Sequence, residues 1–303
     1  MTPTIACSTL AVQSRTLKTP VRELGAAGWE RELRRLRAAG FAAVDFIDAW
    51  LAPAELDDRQ LTELRDVLLA CELSVAGVSI SRRSVIDPVD GDANLEYAHR
   101  TLECTAFLGA PILNVGFHRP LLPEQTGTQW WVVPGAADDR SEATWQSAVD
   151  RLRELATRAE SLGLDLSLEL YEDTLLDSGS EAARMVRAVG RTNVGINADL
   201  GNLIRVPRPL DQGWPELLLD CLPHLNYWHI KNYIRLEQPA TNTFMSYPTE
   251  LGVGVIDYRE AIKIALESGY EGPLCIEYYE GDTLETATRS RRYLEALFAD
   301  LGR

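Results

Sequence analysis

The chain has 303 residues, with 30 Lys and Arg against 45 Asp and Glu, for a formal charge of -15. That balance excludes partners whose phosphates need a basic footprint, so no nucleic acid and no anionic membrane surface are expected, and a multiply phosphorylated substrate is disfavoured. The five cysteines are scattered without a Cys-x-x-Cys pair, and the opening Met1-Thr2-Pro3-Thr4-Ile5-Ala6-Cys7 has no basic region leading into an apolar run, so reduced thiols and a cytoplasmic location are the expectation.

Residues 4–8 read as a short strand, and 29–39 as an amphipathic helix that Gly40 stops. Strand is expected at 42–46, helix at 54–72, strand at 74–80, and helix at 94–108, closed by Gly109. A fourth strand, 111–116, opens on a long loop over 117–140, after which Ser141 starts a helix to Leu162. Strand 164–169, helix 180–189, strand 193–199 and helix 214–221 lead to a strand through His229. A second long loop, 232–256, precedes Asp257, which caps a helix to Ser268; strand 273–277 and helix 283–301 close the chain. Eight strand-helix alternations without a composition break predict one α/β domain over 1–303, a parallel (β/α)8 TIM barrel. No Gly-x-Gly-x-x-Gly turn follows the first strand, which disfavours an open sheet built for a dinucleotide.

Alternation in Tyr227-Trp228-His229-Ile230-Lys231-Asn232 points His229 and Lys231 the same way, at the carboxyl end of a strand, where α/β barrels keep their chemistry. Three other strand-like segments end in a carboxylate, at Glu169, Asp199 and Glu277. The successive spacings are 30, 30 and 48 residues, and about thirty is one strand-helix unit. Glu169, Asp199, His229 and Glu277 should therefore meet on one rim and hold one divalent ion. His118, ending the fourth strand, faces the same rim by position, as a second acid/base or as a hydrogen-bonding loop residue. Glu172 and Asp173, just past Glu169, either face substrate or are solvated loop charges. Trp130, Trp131, Phe244 and Tyr247 in the long loops offer faces to a sugar ring or planar aglycone, or to another subunit, and Trp50 is a further wall candidate.

The segments Leu168-Glu169-Leu170, Asp199-Leu200-Gly201-Asn202, His229-Ile230-Lys231-Asn232, Cys275-Ile276-Glu277 and Gly252-Val253-Gly254-Val255-Ile256-Asp257-Tyr258 resemble the sugar isomerase/epimerase superfamily with the xylose isomerase-like barrel. That superfamily includes ketose 3-epimerases, inosose-processing enzymes, the barrel subunit of C-glycoside deglycosidases and, more distantly, endonuclease IV. The resemblance implies that Glu169, Asp199, His229 and Glu277 bind one ion, manganese first, with magnesium, cobalt or zinc as alternatives. It further implies that Glu169 and Glu277 double as acid and base, and that Arg235 contacts substrate. Two positions depart from the pattern: Asn202 stands on the substrate side where ketose epimerases usually carry a histidine, and Asn232 ends a motif that usually reads His-x-Lys-Asp.

A hard dication with carboxylate and imidazole ligands suits a substrate offering a carbonyl oxygen beside a hydroxyl. One carboxylate would take the carbon-bound proton and another return it, while the ion and Lys231 stabilise the enediolate oxygen; Lys231 otherwise only neutralises the rim. Return to the same carbon epimerises, return to its neighbour isomerises, and a leaving group one carbon further on is expelled. The expected activity is a metal-dependent isomerase or epimerase of an uncharged sugar, keto-sugar or cyclitol, with at most one acidic group tolerated. The alternative is a lyase that cleaves a (3-keto) C- or O-glycoside by β-elimination. The expected assembly is a homo-oligomer or a complex with a small partner subunit.

Overall fold

The computed structural model describes residues 2–13 and 19–303. In chain order its strands are β1 (Ile5–Ser8), β2 (Ala43–Ile47), β3 (Ser74–Ser79), β4 (Ile112–Val115), β5 (Asp165–Glu169), β6 (Val194–Asn197), β7 (Leu225–Ile230), β8 (Asn232–Gln238), β9 (Thr243–Thr249) and β10 (Leu274–Ile276). All but β8 and β9 are parallel neighbours in a closed barrel, in which β10 lies between β7 and β1. The helices are α1 (Gly25–Ala38), α2 (Asp58–Ala70), α3 (Gly91–Phe107), α4 (Glu142–Ser161), α5 (Gly179–Val189), α6 (Leu200–Ile204), α7 (Trp214–Cys221), α8 (Tyr258–Glu267) and α9 (Thr283–Asp300). The chain is thus the expected (β/α)8 barrel, and no described helix is long and apolar enough to cross a membrane.

Local chemistry explains where the elements start. Ser141 caps α4 by accepting from Thr144 N at 3.3 Å, and Asp257 caps α8 by accepting from Arg259 N and Glu260 N. Helix α2 begins later than its periodicity predicts because Asp57 and Gln60 form a reciprocal capping box, which fixes Asp57 as the boundary. Helix α1 buries Trp29, Leu33 and Leu36 at helical spacing against the barrel, each such burial being worth about 1.5–3 kcal/mol.

Strands buried on both faces are the rule in a parallel barrel, and β2 is buried throughout. Its outward Val44 and Phe46 join the main core, whereas Ala43 belongs to a lumen cluster with Ala6, Ala76, Ile112, Tyr227 and Cys275. Three alanines in that layer leave the volume that Tyr227 fills. Towards the carboxyl ends the lumen turns polar, with Asp45, Ser79, Asn114, Glu169, Asn197 and His229 each supplied by a different strand and each buried.

Two elements differ from expectation. The stretch 232–256 contains the antiparallel hairpin β8–β9, which turns through Asn242 in the left-handed conformation (φ 48°). Strand β6 ends at Asn197, and Asp199 is instead the cap of α6, accepting from Asn202 N at 3.3 Å.

Candidate active site

His229 organises the centre. Its Nε2 lies 3.3 Å from Asp45 Oδ2 and 3.4 Å from Ser79 Oγ. Asp45 is itself fixed, accepting at Oδ1 from Ser79 Oγ (2.9 Å) and Tyr227 OH (2.6 Å). With the Ser79 hydroxyl proton committed to Asp45, Ser79 Oγ accepts from Nε2, which keeps a proton there and turns Nδ1 inward. Nδ1 is buried without a hydrogen-bond partner among the described residues, 3.7 Å from Glu169 Oε1, 3.9 Å from Asp199 Oδ2 and 4.0 Å from Glu277 Oε2.

The carboxylates are aimed by their own neighbours. Asn114 Nδ2 donates to Glu169 Oε2 at 2.7 Å, and Asn202 Nδ2 donates to Glu169 Oε1 at 3.1 Å and to the Leu170 carbonyl at 2.9 Å. Capping of α6 occupies Asp199 Oδ1 and leaves Oδ2 on the centre, 2.6 Å from Lys231 Nζ. Lys231 also donates to Glu277 Oε2 and, at 2.5 Å, to Tyr279 OH, which in turn donates to Glu277 Oε2 at 2.6 Å. Gly201 makes room for this lysine: a Cβ there would stand 2.6 Å from Lys231 Cγ. Gly116 does the same for His118, whose Nε2 would lie 2.5 Å from an added Cβ. His118 packs tilted against Tyr171, with ring centroids 4.2 Å apart, and holds Nε2 3.9 Å from Glu169 Oε1.

The electrostatics are those of a centre short of positive charge. Burial pushes Asp199 up to about 7, with Glu169 and Glu277 adding to the push and Lys231 opposing it. Burial would also raise Glu169 and Glu277, but His118, His229 and Lys231 hold Glu169 below the usual range, and Lys231 and His229 do so for Glu277. His229 and Lys231 are held well above their ordinary values, since Asp45 and Glu169 around the one, and Asp199 and Glu277 around the other, outweigh burial. His118 goes the other way: burial lowers it to about 4, so it is neutral at physiological pH. Three carboxylates and an unpartnered imidazole nitrogen, with the donor atoms of Glu169, Asp199 and His229 within 4.8 Å of one another, form a donor set that fits a divalent ion.

Above the centre lies a cavity of about 800 Å³ including its open mouth. Glu169, His229, Glu277, His118 and Tyr279 line its polar side, and Leu10, Ile47, Ile80, Leu121 and Trp130 its apolar side. Several residues singled out in the sequence as facing substrate lie outside this lining, Arg235, Glu172, Trp50, Trp131, Asn202, Phe244 and Tyr247 among them. Arg235 is drawn to the carbonyls of Ile204 (2.8 Å), Val206 (2.6 Å) and Arg208, and to Glu237. Glu172 is buried with both oxygens on Arg205, at 2.8 and 2.9 Å from its Nη2, and so is no solvated loop charge. Trp50 packs edge-on against Phe46 at 5.3 Å, beside a neighbouring depression. Trp131 is buried behind Trp130, edge-on at 4.8 Å. Asp45, Asn114, Tyr279 and Arg205 were not anticipated.

The sequence profile of the xylose isomerase-like TIM barrel family matches residues 33–297, and the chain belongs to that family. A xylose isomerase-like TIM barrel protein from Mycobacterium smegmatis, solved in complex with magnesium, has a TM-score of 0.91 and 38% identity, covering 99% of this chain and 97% of that one. A ketose 3-epimerase of Arthrobacter globiformis is 24% identical over 263 residues, 86% of this chain and 80% of that protein. An inosose dehydratase of Serratia proteamaculans (strain 568) is 28% identical over 173 residues, 51% of this chain and 56% of that protein.

Proposed function

We propose that this enzyme is a divalent-metal-dependent isomerase or epimerase of a keto-sugar or keto-cyclitol. The observation that carries the reading is the convergence of Glu169, Asp199 and Glu277 on the unpartnered Nδ1 of His229, with Lys231 at the same point. Glu169, Asp199, His229 and Glu277 would hold the ion, which when bound supplies Lewis acidity to a carbonyl and its neighbouring hydroxyl. The chain's own groups do the rest. Glu169 and Glu277 are both ionised, and each is a base placed to take or return the proton on the carbon beside the carbonyl. The Lys231 ammonium faces the charge that develops on the substrate oxygen. Tyr279, bonded to both Lys231 and Glu277, is placed to keep their relative position through the transfer. Trp130, Leu121, Ile80 and Ile47 form the apolar wall beside that step.

A second reading, elimination of a leaving group from the same intermediate, draws support from His118. Neutral, buried and, among the described residues, unpartnered at Nε2 within 3.9 Å of Glu169, it is a further proton carrier on the cavity side. Solvent exchange separates the two readings. Manganese-loaded protein incubated with ketoses in deuterium oxide should place deuterium on the carbon beside the carbonyl and form an epimer or isomer, followed by proton NMR. Release of water or an aglycone without an interconverted sugar would favour elimination, and absence of both would contradict the proposal.

A further inference from the structure

Two adjacent arginines just past the end of β3 meet different fates. Arg83 donates to Glu55 Oε1 at 2.6 Å, lies 3.7 Å from Asp48 Oδ2, and stacks at 3.9 Å on Tyr97. Arg82 turns into the cavity. Its guanidinium donates to the Arg119 carbonyl (3.2 Å) and to Tyr171 OH (3.4 Å), and stands 5.3 Å from the Trp130 ring centroid. No carboxylate among the described residues lies within 4.0 Å of it, and the undescribed residues, Met1 and 14–18, contain no Asp or Glu. A permanently charged guanidinium beside an apolar wall, with only neutral acceptors, is an open anion site.

The backbone is arranged to hold it there. Arg82 has φ +53°, a conformation disfavoured for a residue with a Cβ. The preceding Ser81 is clamped by two bonds to Asp48 Oδ1, from its N at 2.8 Å and its Oγ at 2.7 Å, and Asp48 also accepts from Tyr97 OH at 3.2 Å. The clamp forces the corner that sends Arg83 outward and Arg82 inward. Disfavoured backbone kept at a cavity wall points to function rather than to fold.

Resting on the isomerase reading of the same cavity, we propose that Arg82 is its specificity-determining residue and that the substrate is a monoanion, a keto-sugar acid. Its carboxylate pairs with the Arg82 guanidinium while its carbonyl end meets Glu169, His229 and Glu277. This refines the expectation of an uncharged substrate. A carboxylate brings one charge to one free guanidinium, whereas a phosphate would bring about two towards a rim already holding three carboxylates.

The test titrates manganese-loaded wild type, Arg82→Asn and Arg82→Lys by calorimetry with D-fructose, its C6 carboxylate counterpart D-fructuronate, and D-fructose 6-phosphate. Asparagine tolerates the left-handed backbone, so R82N should keep the wild-type melting temperature. Wild type is expected to bind fructuronate about tenfold or more tighter than either other ligand, R82N to bring the fructuronate-to-fructose ratio to about one, and R82K to keep part of it. A wild-type ratio near one, a ratio retained in R82N, or tighter binding of the phosphate would overturn the proposal. Hydrogen exchange on the same ligands tells its failure from that of the isomerase reading. Exchange on fructose without any Arg82-dependent preference defeats the proposal alone, whereas an Arg82-dependent preference without exchange on either ligand defeats the isomerase reading alone.

Discussion

At the scale of single residues, His229 depends on Asp45 behind it. The carboxylate stands 3.3 Å from Nε2 and favours a proton there, and Tyr227 and Ser79 hold the carboxylate. Asp45→Ala should leave the four proposed ion-binding groups in place yet weaken divalent-ion affinity about 10–100-fold, measured by competition with a metal indicator dye. Unchanged affinity would show that the histidine needs no such support. Glu169→Gln and Glu277→Gln each keep an oxygen at the centre but remove a base, so kcat should fall by roughly two to four orders of magnitude with substrate binding retained. Near wild-type turnover in both would move the proton transfers elsewhere, with His118 the first residue to examine. Asp45 and Asn114 were in principle legible: each is a lone polar side chain inside an apolar strand, Ala43-Val44-Asp45-Phe46-Ile47 and Ile112-Leu113-Asn114-Val115. A charge in a fully buried strand needs partners, and that need is itself a signal. The partnership of Glu172 with Arg205 was not legible, because thirty-three residues separate them and only the closed barrel brings them together.

At the scale of elements, Asn232 explains why this chain departs from an aspartate at that position. Its Nδ2 donates to the carbonyls of Leu251 (3.0 Å) and Ile256 (2.8 Å), and its Oδ1 accepts from Tyr233 N (2.9 Å) and Ile256 N (3.1 Å). The amide thereby ties the base of the hairpin to the segment that leads into α8. An aspartate keeps the acceptor half and sets a buried carboxylate oxygen against two carbonyls. Asn232→Asp should therefore lower stability by about 1–3 kcal/mol, read from urea unfolding at neutral pH. A loss below about 0.5 kcal/mol would mean that the amide donors do not matter. The hairpin itself escaped the sequence reading because Pro239 and Pro248 interrupt the pattern expected of a strand. A two-stranded ribbon outside the barrel tolerates them. Asp199 was expected to close a strand and instead caps a helix, two roles that share one position at a strand-to-helix corner.

At the scale of the whole molecule, the barrel turns a linear period into a shared centre. Residues about thirty positions apart lie at or just past the ends of neighbouring strands, so Glu169, Asp199 and His229 follow from β5, β6 and β7 in turn. The forty-eight residues to Glu277 accommodate the hairpin, and β10 still pairs with β7, with His229 opposite Cys275. Strand order and the spacing of these four groups were therefore legible from period alone. What was not legible was set by side-chain direction: Arg235 and Trp131 lie near the rim in sequence but turn away from the cavity. The central claim is that four groups from four strand ends hold one divalent ion. Metal analysis after dialysis tests it most directly, comparing wild type with Asp199→Ala and His229→Ala, each checked for an intact fold by circular dichroism. The account predicts about one manganese per chain in wild type and almost none in either variant. Full occupancy in a folded Asp199→Ala or His229→Ala variant would contradict it.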